Sequence, residues 1–143
     1  MPTNPDKLSI ERKKSELYSD FLINFDRNPF SGYLGKVTNE ESVKQSLKNL
    51  FLTNKGERFY DSNKGTRLRA MLFENSYGYG EFEAIKLDLI QIAQAYEPRA
   101  QIIDLEITVP DADANSFFLK IIFSIINIPD QTFNLELFIN RVR

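Results

Sequence analysis

The chain has no histidine and no cysteine in its 143 residues, so any acid–base chemistry would fall to carboxylates. Two carboxylates suffice for glycoside hydrolysis when one is buried and kept protonated while the other stays ionised. With 20 Asp and Glu present a pair can always be chosen, so abundance alone carries no signal. Glu57, Asp61 and Glu97 stand apart because they fall in irregular or boundary segments. Each also has a Lys or Arg close by in sequence. The plainer role for such an acid is an ion pair or a hydrogen-bonded acceptor that fixes a loop. No catalytic residue is assigned on this basis.

Other chemistries find still less support. Without His or Cys there is no Ser-His-Asp triad, thiolate zinc site, cysteine nucleophile or disulfide. Lys55-Gly56 and Lys64-Gly65-Thr66 resemble fragments of a phosphate loop, but the full glycine-to-lysine spacing and its preceding strand are missing. Asp111 and Asp113 lack the spacing, Gly and closing Glu of a calcium loop. A formal charge of −2, with Lys and Arg dispersed among acids, gives no footprint for nucleic acid. The longest apolar-rich run, Phe117 to Ile126, is interrupted by Lys120 and Ser124, so neither a membrane span nor a signal peptide is expected. No cofactor, metal or small-molecule substrate is expected.

The elements that would position Glu57 and Glu97 can be read from periodicity. Residues 1–17 carry Pro2, Pro5 and mixed charges and read as an extended arm, with 18–143 as a single domain. Phe21 to Phe25, a turn at Asn28-Pro29-Phe30-Ser31-Gly32 and a second extended piece through Val37 follow. Thr38-Asn39-Glu40-Glu41 matches a capping box. It opens a helix that buries Val43, Leu47, Leu50 and Phe51 and stops at Asn54-Lys55-Gly56. The irregular stretch from Gly56 to Gly65 is expected to be pinned to the body by Phe59 and Tyr60. A short helix over Thr66 to Glu74, packing Leu68, Met71 and Leu72, precedes a break at Asn75 to Gly80. The clearest helix is Glu81 to Tyr96, with Phe82, Ile85, Leu89, Ile92 and Tyr96 at steps of three and four.

β-structure is expected after that helix. Ile103, Leu105, Ile107 and Val109 alternate with polar residues, as in a half-buried strand. Pro110 to Asn115 is a turn, and Ser116 to Ile126 is apolar on both faces, which reads as a central strand covered on both sides. Asn127 to Gln131 turns the chain again before Phe133, Leu135, Leu137 and Ile139 alternate in a last strand. The fold class is therefore α+β, with about three helices packed on a C-terminal antiparallel meander.

Two features remain after these assignments. Pro98 ends the long helix by restricting Glu97, and it sets Glu97 and Arg99 on either side of a rigid corner. A bidentate carboxylate–guanidinium contact there, crossed with Glu57 and Arg58 from the earlier loop, would lock the helix–strand angle. The last strand, carrying Phe133, Leu135, Leu137 and Ile139, would lie at a sheet edge and invite strand addition unless Arg141, Arg143 or the arm covers it.

Several stretches together resemble a known family. They are Ser42 to Leu50, Thr53-Asn54-Lys55-Gly56-Glu57-Arg58, Gly65-Thr66-Arg67-Leu68, Leu72-Phe73-Glu74 and Tyr96-Glu97-Pro98-Arg99. Their order and types are similar to the small baseplate wedge proteins of contractile-tailed bacteriophages, a family that includes a type VI secretion baseplate subunit. Family members usually carry prolines after Gly-Glu-Arg, where this chain has Phe59 and Ser62. The resemblance implies a structural virion protein, found in the tail baseplate and assembled in the host cytoplasm, whose partners are other wedge proteins and tail sheath subunits. It also implies that the first sheath ring adds strands to the β end. Some family members have been labelled tail lysozymes, which keeps a carboxylate-based peptidoglycan hydrolase as the alternative.

Overall fold

The computed structural model describes residues 16–71, 79–109 and 116–140. Among them run β1 (Ser19–Phe21), β2 (Lys36–Thr38), α1 (Asn39–Leu52), α2 (Leu68–Met71), α3 (Tyr79–Tyr96), β3 (Ala100–Thr108), β4 (Ser116–Ile125) and β5 (Ile128–Asn140). β1 and β2 form a small antiparallel pair, while β3, β4 and β5 form an antiparallel meander in that order. The α+β reading holds. The expected arm through residue 15, Leu72 and the rest of its helix, the turn at Pro110 to Asn115, and Arg141 to Arg143 lie outside the described residues.

One apolar layer joins helices and sheet. Val43, Leu47 and Phe51 of α1, Leu68 and Met71 of α2, and Leu89 and Ala93 of α3 pack on Leu105, Phe117, Leu119, Ile121, Phe123, Ile125, Leu137 and Ile139. The helical steps of three and four and the strand step of two put these side chains on facing surfaces.

The sheet departs from expectation in three places. β3 carries a bulge between Ile102 and Asp104, so Ile103 is an extra, exposed residue and Ala100 and Ile102 face inward ahead of it, while Leu105 and Ile107 keep the expected inward phase and Val109 is exposed. β4 is central, but among the described residues its second face is open at Phe118 and Lys120, while Ile122 is half-buried and Ser124 buried; the exposed Phe118 ring lies 4.7 Å from that of exposed Phe138 on β5. Beside this aromatic pair, Glu106, Lys120 and Glu136 lie next to one another in register. β5 also begins earlier than the Asn127 to Gln131 turn suggests, because the chain reverses by Ile128 and the irregularity is absorbed as a bulge opposite Ser124 and Ile125.

The entrance to α1 differs too. Thr38 makes no side-chain cap bond, and Glu41 binds Lys44 at 3.0 Å rather than reaching back. The chain enters the helix through Asn39 at φ +48°, a left-handed conformation that Asn tolerates. There the Asn39 Oδ1 accepts the Leu17 N–H at 2.9 Å, and its own N–H donates to the Tyr18 carbonyl at 2.8 Å. Helix capacity is thus used to hold the segment leading into β1.

At the other end of α1 the loop from Thr53 to Thr66 is closed by its own backbone. Thr66 N–H donates to the Thr53 carbonyl at 2.8 Å, Lys55 N–H to the Thr66 carbonyl at 3.0 Å, and buried Thr66 Oγ1 to the Phe51 carbonyl at 2.8 Å. Phe59 and Tyr60 do not pin this loop; they are 94% and 98% exposed. Tyr96 holds it instead, through a hydrogen bond with Asp61 and with Lys64 Nζ 5.6 Å from its ring centre. Gly65 sits at φ +125°, where a Cβ would lie 2.7 Å from the Thr53 carbonyl oxygen and 2.9 Å from Asn54 backbone atoms. Gly65→Ala is therefore expected to cost about 2–3 kcal/mol in urea unfolding, whereas Gly32→Ala, at φ +71° in open space, should cost about 1 kcal/mol.

Candidate functional site

The corner after α3 is built from the backbone outward. Glu97 N–H makes the last helical bond, to the Ala93 carbonyl at 2.8 Å, and Pro98 then prevents the helix from continuing. Ala100 N–H returns to the Glu97 carbonyl at 3.1 Å, and Ile126 N–H donates to the Arg99 carbonyl at 3.0 Å, which fixes the start of β3 against the β4–β5 turn.

The side chains complete a clamp. Glu97 is 3% exposed, yet its carboxylate accepts from Arg99 Nε at 2.5 Å and from Arg99 Nη2 at 2.7 Å. The Ser46 hydroxyl of α1 donates to the same carboxylate. The Arg99 guanidinium lies 5.3 Å from the ring centre of Tyr18, a cation–π distance. The Asn127 side-chain amide in turn donates to the Tyr18 hydroxyl. One short corner therefore ties α1, the end of α3, the start of β3, the segment before β1 and the β4–β5 turn together.

Burial pushes the Glu97 carboxyl up, but the hydrogen bonds from Arg99 and then Ser46, with the guanidinium charge, outweigh it and hold the group below its usual value. The Glu97 carboxylate raises Arg99 in return. A general acid needs the opposite shift. Glu97 is ionised at neutral pH and occupied on both oxygens, which suits a brace and not proton donation.

Other residues marked in the sequence fall elsewhere. The Glu57 carboxylate accepts the Asn54 N–H at 2.8 Å inside the exposed loop, and Arg58 is exposed. The crossed pair with Glu97 and Arg99 is not formed; the Ser46 hydroxyl of α1 is the further partner of the Glu97 carboxylate. Ser46 was detectable: it lies three residues after Val43 and four before Leu50, a polar side chain on the buried stripe. Tyr18 and Asn127 left no such sign. On β5, Leu137 and Ile139 are buried and Phe133 and Leu135 half-buried, with Phe133 stacked 5.8 Å from Phe123. These four side chains face the core, so the strand offers its backbone, not its apolar face, at the sheet edge. No group of three or more carboxylates capable of holding a metal occurs among the described residues, and no described helix is long and apolar enough to cross a membrane.

Because the folded Glu97 value is depressed, its stabilisation is present above the ordinary carboxylate value and is lost as pH falls through the lower folded value. Acid unfolding of the wild type should therefore be steeper below about pH 4.5 than that of Glu97→Gln. At neutral pH, Glu97→Ala should lose about 2–4 kcal/mol in urea, since it strands Arg99 and the Ser46 hydroxyl without their shared acceptor. Equal acid slopes for wild type and Glu97→Gln would remove the clamp from the stability account.

Comparison with known proteins places this geometry. The family model for baseplate wedge protein gp25 matches residues 37–129, from β2 through the corner to the β4–β5 turn. Baseplate wedge protein gp25 of Enterobacteria phage T4 is 29% identical over 96 residues, covering 67% of this chain and 71% of the T4 protein. A chain in the cryo-EM structure of the anti-feeding prophage baseplate superposes with a TM-score of 0.65 at 26% identity, over 79% of this chain and 89% of that one. A Geobacter sulfurreducens protein described from its crystal structure as a candidate tail lysozyme superposes with a TM-score of 0.64 over 75% of this chain and 96% of that one. Its 17% identity makes this a likeness of fold alone. The family match spans well over half of the residues, including the Glu97-Pro98-Arg99 clamp, and the chain belongs to the baseplate wedge protein gp25 family.

Proposed function

We propose that this chain is the structural baseplate subunit on which the contractile sheath begins, holding wedge proteins on one side and accepting a sheath strand along β5 on the other. The observation that carries the reading is β5 itself. It is a 13-residue strand paired only to β4 among the described residues, with Phe133, Leu135, Leu137 and Ile139 turned toward the core. A long strand edge is a liability in a free monomer and a ready template in an assembly subunit. The clamp supports this use, since strand addition demands an edge held at a fixed angle to the rest of the subunit.

The wedge-facing side is the β1–β2 hairpin with the exposed face of α1. The hairpin turn is ordered by Asn28, whose side chain accepts the Phe30 N–H at 2.9 Å, and it presents Phe25, Tyr33 and a 99% exposed Phe30 to solvent. Exposed aromatics on an ordered turn are the composition of protein contact sites. Assembly takes place in the bacterial host cytoplasm. The peptidoglycan-hydrolase alternative, which the Geobacter protein's description also suggests, is not favoured by its two named carboxylates: Glu97 is held ionised and Glu57 is bound to its own loop.

Removing residues 133–143 would take Leu137 and Ile139 from the core, so a backbone substitution is the cleaner test. Successive strand residues point their N–H groups to opposite sides, so of Asn134→Pro and Leu135→Pro one removes a bond to β4 and the other a donor on the free edge. The variant that keeps its circular dichroism spectrum and melting profile should yield baseplates with bare tubes in electron micrographs. Full-length sheath on those baseplates would sink strand addition at β5.

A further inference from the structure

We propose that Arg58, Phe59 and Tyr60 form a rigid anchor that seats in a carboxylate-rimmed apolar socket on a neighbouring baseplate protein. The inference rests on the baseplate reading but not on strand addition at β5. Phe59 and Tyr60 are 94% and 98% exposed and stand edge to face, with ring centres 5.3 Å apart and planes at 90°. Among the described residues the two rings contact each other and lie outside the apolar core.

The loop that carries them is nonetheless braced from both sides. Asn54 and Thr66 close its base as a parallel bridge. Glu57 N–H donates to the Asn54 carbonyl at 3.1 Å, Gly56 N–H to the Ser62 carbonyl at 2.8 Å, and Lys64 N–H to the Asp61 carbonyl at 3.2 Å. Asp61 and Lys64 then fasten the far limb to Tyr96, next to the clamp. Aromatic side chains on such a support bind at small entropic cost, because they have few torsions to freeze and the backbone is already ordered.

Charge selects the partner. The acids of the loop are engaged within the subunit, Glu57 by the Asn54 N–H and Asp61 by Tyr96. Among the described residues Lys55 and Arg58 have no ion pair, so the loop presents cations beside its aromatics. A cationic, aromatic tip fits an apolar recess edged by Asp or Glu, where the guanidinium makes charge-assisted bonds around two buried rings.

The test uses contractile tails carrying this chain as their only copy, with its occupancy in purified baseplates measured by quantitative mass spectrometry. The double variant Phe59→Ala/Tyr60→Ala should melt like the wild type, since both side chains are exposed, and fall about tenfold or more in occupancy. Arg58→Glu should fall similarly and Arg58→Lys should retain much of the occupancy. Wild-type occupancy of the folded double variant would overturn the anchor, whether or not sheath forms on those particles. Binding of labelled oligothymidylate at low salt, lost in the double variant, would also overturn it by assigning the tip to nucleic acid. Absence of the wild-type chain from baseplates would overturn the underlying baseplate reading instead.

Discussion

The buried Glu97 carboxylate is the constraint on which the other parts depend. An ionised acid with almost no solvent must be compensated, and here the compensation comes from Arg99 in the same turn and Ser46 on a distant helix. Desolvation can cancel much of the Coulombic gain of such a group, so its benefit lies in geometry: few other placements of α1, α3 and β3 satisfy the same oxygens. The guanidinium extends the constraint to Tyr18, and Tyr18 extends it to Asn127. The segment before β1 and the β4–β5 turn are thereby referenced to one point.

The rest of the fold is arranged as a presentation of surfaces around that point. The helices cover a single face of the meander, leaving Phe118, Phe138 and the Glu106, Lys120, Glu136 row on the other. β4 makes ladders on both sides, while β5 gives one edge to β4 and packs its alternate side chains against the core. A strand anchored in this way can gain a neighbour without repacking its own side chains. The aromatic residues of the hairpin turn and of the loop after α1 are likewise held by backbone bonds and not by burial.

Much of this was legible in the sequence because it follows from periodicity. Val43, Leu47 and Leu50, then Ile85 and Leu89, then Phe117 through Ile125 mark α1, α3 and β4, and Pro98 marks the corner. What was missed involves effects that a period cannot register. An inserted residue such as Ile103 shifts the phase of a strand without altering its composition, so ahead of the bulge Ala100 and Ile102 take the inward positions while Leu105 and Ile107 stay in phase. The apolar second face of β4 looks the same whether another layer covers it or a partner does. Phe59 and Tyr60 read as pins that fasten the loop to the body, but the loop is closed by its own hydrogen bonds, and that leaves both rings exposed. The second partner of Glu97 was a small hydroxyl on the buried stripe of α1, a weaker signal than the charged residues of the loop.

Strand addition, as proposed, would seat the first sheath strand on β5 of a clamped sheet. A cryo-EM map of a baseplate with its first sheath ring, at a resolution that separates strands, tests it most directly. Strand addition requires a strand from a sheath subunit lying about 4.8 Å from β5 on the side away from β4, with the Glu97–Arg99 clamp intact beneath it. A β5 edge left open to solvent, with the sheath ring attached elsewhere on the subunit, would contradict it.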